Sequence, residues 1–559
     1  MRNRVLLTFF LITLCGVVSV AQSSGPATLV MTGGRVWTGN EKQPWAEAVA
    51  IRDERIIAVG TNKDITKLAG PTTQKLDLAG RFVMPGFNDA HIHFGSVIRL
   101  TQVDLNEAKS IGEMQQLIAK YAKEHPDAKW IQGYGWQYTA VPGGLPTRAQ
   151  LGAAVPDCPA YLAAYDGHTG WANSKALAIA GITKDTKFDG FGEIVRDANG
   201  EPTGVLKEGA QGLMRRYIPT VTREERLEAM RKGMKWLSSL GITSIQNASG
   251  SSEDFDFYQE LLDKGDLLAR TSVAVSVGPR TTRERIAVIG AFRQRYAGPM
   301  LRAGAIKIVV DGVIEAHTAA MLEPYSDKPG NPGRSSWTPE ELNRVVAMAD
   351  KAGLQVYIHA IGDRGVRMAL DAYENARKVN GPRDARHRIE HIEVIAAPDI
   401  PRFAQLGVMA SMEPIHADPG TAEVWSNAVG PERLKYAFAW RSLEQAGAKL
   451  VFSSDWAAAI SIDPIRGLHS AVNRQTIEGQ PPGGWVREQR VSVETALRAY
   501  TRAGAYASFE EKLKGTLEPG KLADVIVLSA DPFGVPPAEL HNCRVELTVF
   551  DGRVVFERK

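Results

Sequence analysis

The amino-acid sequence predicts an α/β fold: a (β/α)8 TIM-type barrel with a small β-sandwich built from both termini and a subdomain inserted after the first barrel strand. Eight short apolar runs in the middle of the 559-residue chain alternate with helical patterns, which is typical of a parallel barrel. Short alternating strands punctuated by glycine and aspartate occur at both ends, as expected for hairpins of one small assembly. About 140 residues separate the first two barrel strands, which is too many for a loop.

Before these elements, residues 1–21 have the pattern of a secretory signal peptide. Arg2 and Arg4 precede an apolar run that is short for a membrane span, and Ser19-Val20-Ala21 is a small-x-small cleavage sequence. We therefore expect cleavage after Ala21 and a periplasmic or secreted protein, with no stable membrane span after cleavage. An uncleaved anchor is the alternative.

The barrel strands follow in order along the chain. The first is predicted at "FVMPGFNDAHIHF" (82–94), and the other seven at "ITSIQNA" (242–248), "TSVAVSV" (271–277), "AIKIVVDG" (305–312), "LQVYIHAIGD" (354–363), "RIEHIEV" (388–394), "GVMASMEP" (407–414) and "KLVFSSDWA" (449–457). Between them, "TPEELNRVVAMADKAG" predicts a helix that starts at the N-cap Thr338 and stops at Gly353. The barrel is expected over 85–509, the inserted subdomain over about 100–225, and the sandwich over 28–84 and 510–559.

The charge and cysteine content exclude several classes of function. The formal net charge is +3, and removal of the two arginines in the signal peptide lowers it to about +1. Such a balance provides no field for nucleic acid or an anionic membrane. Cys158 and Cys543 could form at most one disulfide, so a metal would be held by histidine, carboxylate or a less usual ligand. A small-molecule substrate is expected, and the sequence is compatible with a homodimer.

Polar residues interrupt several predicted strands near their carboxyl ends. His91 and His93 are two residues apart and therefore share one face of the first strand. An isolated pair of this kind is usually an ordinary feature of a strand. Functional side chains of TIM barrels lie at the carboxyl ends of the strands. Further polar residues stand at this end of four other predicted strands: Lys307 and Asp311, His359, His391, and Asp455. Such a set of imidazole, carboxylate and amine groups indicates a cation site.

These motifs together resemble the amidohydrolase superfamily of metal-dependent hydrolases. The insert with "GYGWQ" and "DGHTGWANSKAL", followed by "HTAAMLEPY", is similar to the amidohydrolase-3 group, which includes N-substituted formamide deformylases. The resemblance covers nearly all of residues 28–559. It implies that His91 and His93 bind the more buried metal, and that Lys307 is carbamylated and bridges two metals. It assigns His359 and His391 to the second metal.

By the same resemblance, Asp455 is both a metal ligand and the catalytic proton carrier. Asn88 and Asn247 depart from the pattern of the group, but neither removes a ligand. The resemblance implies one or two divalent metal ions. Zn²⁺ is expected because neutral imidazoles suit this ion.

The expected function is hydrolysis of a non-peptide C–N bond, of amide or formamide type, in a small molecule by a metal-activated hydroxide. A metal-dependent lactonase or other ester hydrolase is the first alternative, and a catalytically inactive binding protein is the second. His168, Trp136 and His317 are expected to contact substrate. The remaining histidines are interpreted as structural or exposed: His125, His387, His416, His469 and His541.

Overall fold

The computed structural model describes residues 25–164, 169–189, 192–314, 317–419 and 422–559. The segment interpreted as a signal peptide and the candidate substrate contact His168 lie outside the described residues. Among the helices of the described part, none has both the length and the apolar character that crossing a membrane requires.

An eight-stranded parallel sheet forms the centre of the described part of the chain. Strands that are neighbours along this series are also neighbours in the sheet, which confirms the predicted TIM-type (β/α)8 fold. In chain order they are β8 (Phe87–Ile92), β15 (Ile242–Gly250), β16 (Arg270–Ser276), β17 (Leu301–Val309), β18 (Gln355–Ala360), β19 (Arg388–His391), β20 (Met409–Met412) and β21 (Lys449–Phe452).

Polar contacts hold the first and last barrel strands together at their carboxyl ends. The Asp455 backbone N–H donates to the His91 carbonyl (2.8 Å), and the His93 N–H donates to the Trp456 carbonyl (2.7 Å). Just before these residues in the chain, the Asp89 carboxylate accepts hydrogen bonds from the backbone N–H (3.0 Å) and the hydroxyl (2.5 Å) of Ser454. The segments that carry the candidate ligands are therefore fixed to each other by the contacts that join the two ends of the sheet.

Helices cover the outside of the barrel. Helix α9 (Pro339–Lys351) shows why they form where they do: Thr338 and Glu341 make a reciprocal capping box, and a proline occupies the first turn. The predicted start of this helix is confirmed, and its buried face includes Val345 and Val346. The other helices of this layer are α6 (Arg223–Ser239), α7 (Ser252–Asp263), α8 (Arg283–Arg295), α10 (Asp363–Asn380), α11 (Ile400–Leu406), α12 (Ala422–Val429), α13 (Pro431–Leu434), α14 (Trp440–Gln445), α15 (Pro464–Asn473), α16 (Val493–Ala499) and α17 (Arg502–Ala507).

Both ends of the described chain build a β-sandwich. One sheet has the order β5-β4-β1-β6 and the other β24-β23-β22-β7-β2-β3, so that β22 from the C-terminal part pairs with β7 from the N-terminal part. A shared apolar core lies between the sheets, as predicted. The members are β1 (Ala27–Thr32), β2 (Arg35–Trp37), β3 (Trp45–Ala46), β4 (Ala48–Arg52), β5 (Arg55–Gly60), α1 (Asn62–Thr66), β6 (Ala69–Asp77), β7 (Phe82–Pro85), β22 (Val525–Leu528), β23 (Val545–Phe550) and β24 (Arg553–Glu557).

The segment between β8 and β15 forms a sheet of its own, in agreement with the predicted insertion after strand one. Its strand order is β13-β14-β12-β11-β10-β9, and a separate apolar core surrounds Trp136 and Trp171. Its elements are β9 (Val103–Asp104), α2 (Ile111–Glu124), β10 (Ile131–Trp136), α3 (Arg148–Ala154), β11 (Ala160–Ala164), β12 (Thr169–Ala172), α4 (Ser174–Ile179), β13 (Gly192–Arg196), β14 (Pro202–Glu208) and α5 (Gly212–Arg215). The boundaries given for the three domains stay predictions.

Candidate metal centre

Two histidines of the first strand converge on the aspartate that follows the last strand. Asp455 Oδ1 lies 2.9 Å from His93 Nε2 and 3.3 Å from His91 Nε2. The three side chains form a group whose ligand atoms are close enough to share one metal ion. Asp455 Oδ1 is buried, yet it has no hydrogen bond of regular geometry within the described part of the chain. A buried carboxylate oxygen left in this state and facing two imidazole nitrogens fits a divalent cation.

Three of the candidate histidines are held by their Nδ1 atoms, and Nε2 of His91 and of His93 faces Asp455 Oδ1. Acceptors or hydroxyls behind a ligating imidazole fix its tautomer and its orientation in metal sites. The three contacts are His91 Nδ1 to Glu390 Oε2 (2.7 Å), His93 Nδ1 to Ser249 Oγ (2.6 Å) and His391 Nδ1 to Glu413 Oε2 (2.8 Å). For His91 and His93, whose Nε2 atoms face Asp455, this is the arrangement that a metal ligand requires.

Lys307 of β17 is buried among these groups. Its Nζ lies 3.1 Å from His91 Nε2. Burial lowers the pKa of the Lys307 ammonium, against the opposing charges of Glu390 and Asp455. An amine that is more easily neutral is suited to carbamate formation, which needs the unprotonated nitrogen.

His359 and His391 lie side by side at the ends of β18 and β19. Their ring centroids are 4.5 Å apart, and those of His91 and His391 are 4.9 Å apart. His359 Nε2 is 3.3 Å from the Gly312 carbonyl oxygen. Burial holds the pKa of both histidines well below the ordinary value, so both are neutral, as metal-binding imidazoles must be.

Asp455 is ionised in spite of its burial. Burial alone would raise the pKa of its carboxyl, but the charge of His91 and contacts with both first-strand histidines hold it well below the usual range. Its backbone has a φ of +55°, in the left-handed region, and His391 has a φ of +77°. Such conformations are costly for residues other than glycine and cluster at functional sites.

Asp311 does not join the candidate ligands. Its carboxylate accepts the backbone N–H groups of Ala320 (2.8 Å), Ile361 (3.0 Å) and Gly362 (2.9 Å). Burial raises the pKa of this carboxyl to about 7. The role of Asp311 is to tie the loops after β17 and β18 together beside His359.

Sequence reasoning did not find the charged residues behind the ligands. Arg388 is fully buried; its Nε donates to Glu390 Oε1 (2.8 Å), and its Nη1 donates to Gln246 Oε1 (2.6 Å). Glu390 in turn accepts from His91, so one carboxylate joins a buried arginine to a candidate metal ligand. The available signal was the run "RIEH", in which two charged residues interrupt a strand with no exposed face.

His416, which was interpreted from the sequence as structural or exposed, lies beside the candidate ligands. His416 lies in the turn after β20, and its Nε2 is 3.5 Å from Asp455 Oδ2. Its Nδ1 is 3.6 Å from Glu393 Oε1, and its ring is parallel to that of His391. Burial alone would lower the pKa of His416, but Glu393 and the other nearby carboxylates raise it to about 9.

Two of the predicted substrate contacts, Trp136 and His317, lie in different environments. Trp136 is fully buried in the core of the insert, and its indole N–H donates to the Leu162 carbonyl (3.1 Å). This position leaves no surface for a substrate, so the structure does not fit the prediction for Trp136. His317 donates from Nε2 to Asp327 Oδ1 (2.9 Å) and packs edge-on against Tyr325, and a contact with substrate stays a prediction.

Comparisons with known proteins agree on one family. The sequence pattern of the Amidohydrolase family matches residues 74–556. Protein LONG AFTER FAR-RED 3 of Arabidopsis thaliana is 32% identical over 90% of this chain and 88% of its own length. N-substituted formamide deformylase of Arthrobacter pascens is 28% identical over 95% of this chain and 98% of its own. A solved metal-dependent hydrolase of Pyrococcus furiosus is 29% identical, covers 90% of this chain and 99% of its own, and has a TM-score of 0.72.

Proposed function

This chain belongs to the Amidohydrolase family, and we propose that it is a metal-dependent hydrolase of a non-peptide C–N bond, of amide or formamide type, in a small molecule. The observation that carries the proposal is the convergence of His91 and His93 on a buried oxygen of Asp455 that has no regular hydrogen bond. The resemblance to a formamide deformylase over nearly the full length of both chains supports the choice of bond.

The donor set suits Zn²⁺, which favours neutral imidazoles and carboxylates. We assign His91, His93 and Asp455 to one ion, and His359 and His391 to a second. Lys307, as a carbamate, would bridge the two. When bound, such ions supply Lewis acidity, which activates water and polarises a substrate carbonyl.

The protein groups around this centre divide the remaining work. Asp455 is ionised and accepts a proton from the attacking water, then delivers it to the leaving nitrogen as the C–N bond breaks. Glu390 and Glu413 accept from Nδ1 of His91 and His391, so that each Nε2 would lose its proton and present a lone pair when an ion binds. The buried positions of these groups exclude bulk water and strengthen each electrostatic contact.

Ester or lactone hydrolysis would use the same groups and is the competing outcome. A catalytically inactive binding protein agrees less well with the site, because none of the candidate metal ligands has been lost from the sequence. Export rests on the pattern of residues 1–21 alone, with cleavage after Ala21, and the homodimer stays a prediction.

A substrate panel with elemental analysis tests the proposal. The mature protein, purified without added metal, is assayed on N-formyl amines, N-acyl amines and lactones, and its metal content is measured. We expect divalent metal, turnover of an N-formyl or N-acyl substrate, and reversible loss of turnover on chelation. Turnover of lactones alone would show that the protein cleaves an ester bond and not the proposed C–N bond. Metal below about a tenth of an equivalent together with full activity in chelator would contradict the mechanism.

A further inference from the structure

We propose that Val309 is a specificity-determining residue, whose side chain contacts the acyl group of the substrate and selects amides of apolar carboxylic acids. The inference rests on the proposed function, because it assigns the substrate class of the same site. Val309 is the last residue of β17, and 49% of its surface is exposed. Ligand sites combine a few polar groups with apolar walls, and an apolar side chain left open beside a candidate metal centre fits such a wall.

Val309 lies on the interior face of the barrel. Residues two apart on a strand share one face, so Val309 is on the same side as Lys307, whose Nζ is 3.1 Å from His91 Nε2. On the neighbouring strand β18, the residue paired with Val309 is His359. The carbonyl of Val309 accepts the indole N–H of Trp337 (2.8 Å), which fixes the end of the strand. The side chain is therefore held beside two candidate metal ligands at the mouth of the barrel.

The order of the strands places Val309 on the side of the substrate's acyl group. Three strands separate β17 from β21 in either direction around the barrel, so Val309 lies across the mouth from Asp455, which follows β21. We have assigned Asp455 to the leaving nitrogen. The substituent on the carbonyl carbon points away from that nitrogen, and it therefore extends toward β17.

The strand ends on this side of the mouth are small or apolar. The neighbouring strands β15 and β16 carry exposed serines near their ends, Ser249 and Ser276. The next exposed apolar residue after β17 is Val313 (41%), which directly follows Gly312. The Gly312 carbonyl oxygen is 3.3 Å from His359 Nε2, so this valine also lies near the candidate ligands. None of these side chains has a charge to pair with a carboxylate on the acyl group, and an unpaired buried charge is costly.

An ordinary surface valine is the competing explanation for the exposure of Val309. Single apolar residues on an outer surface are common and need no function. Val379 on the outer helix α10 is such a residue, with 66% of its surface exposed. Val309 differs from it because its strand face and its pairing with His359 place it inside the ring of strands.

The test compares acyl groups on one chromogenic aniline, with the mature, metal-loaded protein. The N-butyryl and N-succinyl amides have acyl chains of equal length and differ in a terminal carboxylate, and the N-formyl amide has no acyl chain. We expect the wild type to prefer N-butyryl over both others by ~10-fold or more in kcat/KM.

Two variants then remove the apolar contact. Val309→Thr keeps the shape of the side chain and adds a hydroxyl, and Val309→Ala shortens it. We expect the ratio of kcat/KM for N-butyryl over N-formyl to fall ~5–20-fold in each, with the metal content of the wild type. A general loss of structure lowers both values alike and leaves the ratio unchanged. Val379→Thr is the matched control and should retain the wild-type ratio.

Two results would overturn the proposal: a ratio within about twofold of the wild type in both Val309 variants, or a wild-type preference for N-succinyl over N-butyryl. Binding of the free acids, measured by calorimetry, separates this proposal from the proposed function. If the wild type cleaves no amide, the proposed function fails. Butyrate that binds the wild type more tightly than formate does, with the difference lost in both variants, then still supports the contact. An equal preference in all three proteins refutes it.

Discussion

The barrel has a buried histidine–aspartate contact at each end, and the two differ in how fully they are satisfied. At the amino end, His387 Nε2 lies 3.2 Å from Asp350 Oδ1, and its Nδ1 accepts the Val356 N–H (3.1 Å). Arg383 Nε (2.5 Å) and Asn380 Nδ2 (2.8 Å) complete the partners of Asp350. At the carboxyl end, a buried oxygen of Asp455 and Nε2 of His416 have no such partners within the described ranges.

This difference separates a stabilising network from a site prepared for a ligand. A buried pair whose hydrogen bonds are all made contributes to folding, whereas an unsatisfied buried group costs free energy until something binds it. The carboxyl end also contains the left-handed backbone of Asp455 and His391, which costs further conformational free energy. The same residue types therefore form a satisfied network at one end of the barrel and the candidate metal centre at the other.

The sharpest test of this contrast is the same substitution at both ends. Asp455→Asn keeps the size of the side chain but cannot accept the proton of water. We expect kcat to fall ~10²–10⁴-fold, with a much smaller change in substrate binding and little change in the melting temperature. Steady-state kinetics measure kcat and substrate binding, and thermal unfolding measures the melting temperature. A near wild-type rate would show that Asp455 is not the proton carrier.

A smaller effect is expected one layer behind the ligands. Glu390→Gln retains the shape of the side chain but weakens its hold on His91 Nδ1 and leaves the buried Arg388 without its anionic partner. We expect metal affinity to fall ~10–100-fold, as for other partners of ligating histidines. Competition with a chromophoric chelator measures it, with Glu374→Gln on the exposed face of α10 as the control. Unchanged affinity would mean that Glu390 serves folding alone.

At the amino end, Asp350→Asn should leave kcat and metal content unchanged and cost ~1–3 kcal/mol of unfolding free energy. Burial alone would raise the pKa of Asp350, but hydrogen bonds from His387, Asn380 and Arg383 hold it well below the ordinary value. The wild type therefore has this contribution in full above the unfolded pKa of about 3.9 and loses it as the pH falls further.

Denaturant titrations of both proteins at pH 7 and near pH 3 measure the effect. The difference in free energy of unfolding between the wild type and Asp350→Asn should be smaller at the lower pH. A difference that stays constant would show that the carboxylate charge is not the source of the stability. A loss of activity without a loss of stability would show that the two ends of the barrel are coupled.

Local patterns in the sequence determined the architecture. Strand and helix periodicity depend on near neighbours, so the eight barrel strands, the start of α9 and the sandwich of both termini could all be predicted. The order of strands in a parallel barrel then places their carboxyl ends together. This rule alone was enough to bring His91, His93, Lys307 and Asp455 into one cluster, which the structure also contains.

The tertiary structure alone decided which groups stand behind and beside that cluster. Glu390 reaches His91 across 299 positions of sequence, and Ser249 reaches His93 across 156, so no local pattern could have indicated either contact. The positions of His416 and Trp136 depend on tertiary packing for the same reason: His416 follows a buried strand and turns toward Asp455, and Trp136 turns into the core of the insert. Periodicity predicts the face of a strand, but the direction of a side chain beyond the end of a strand depends on what packs against it.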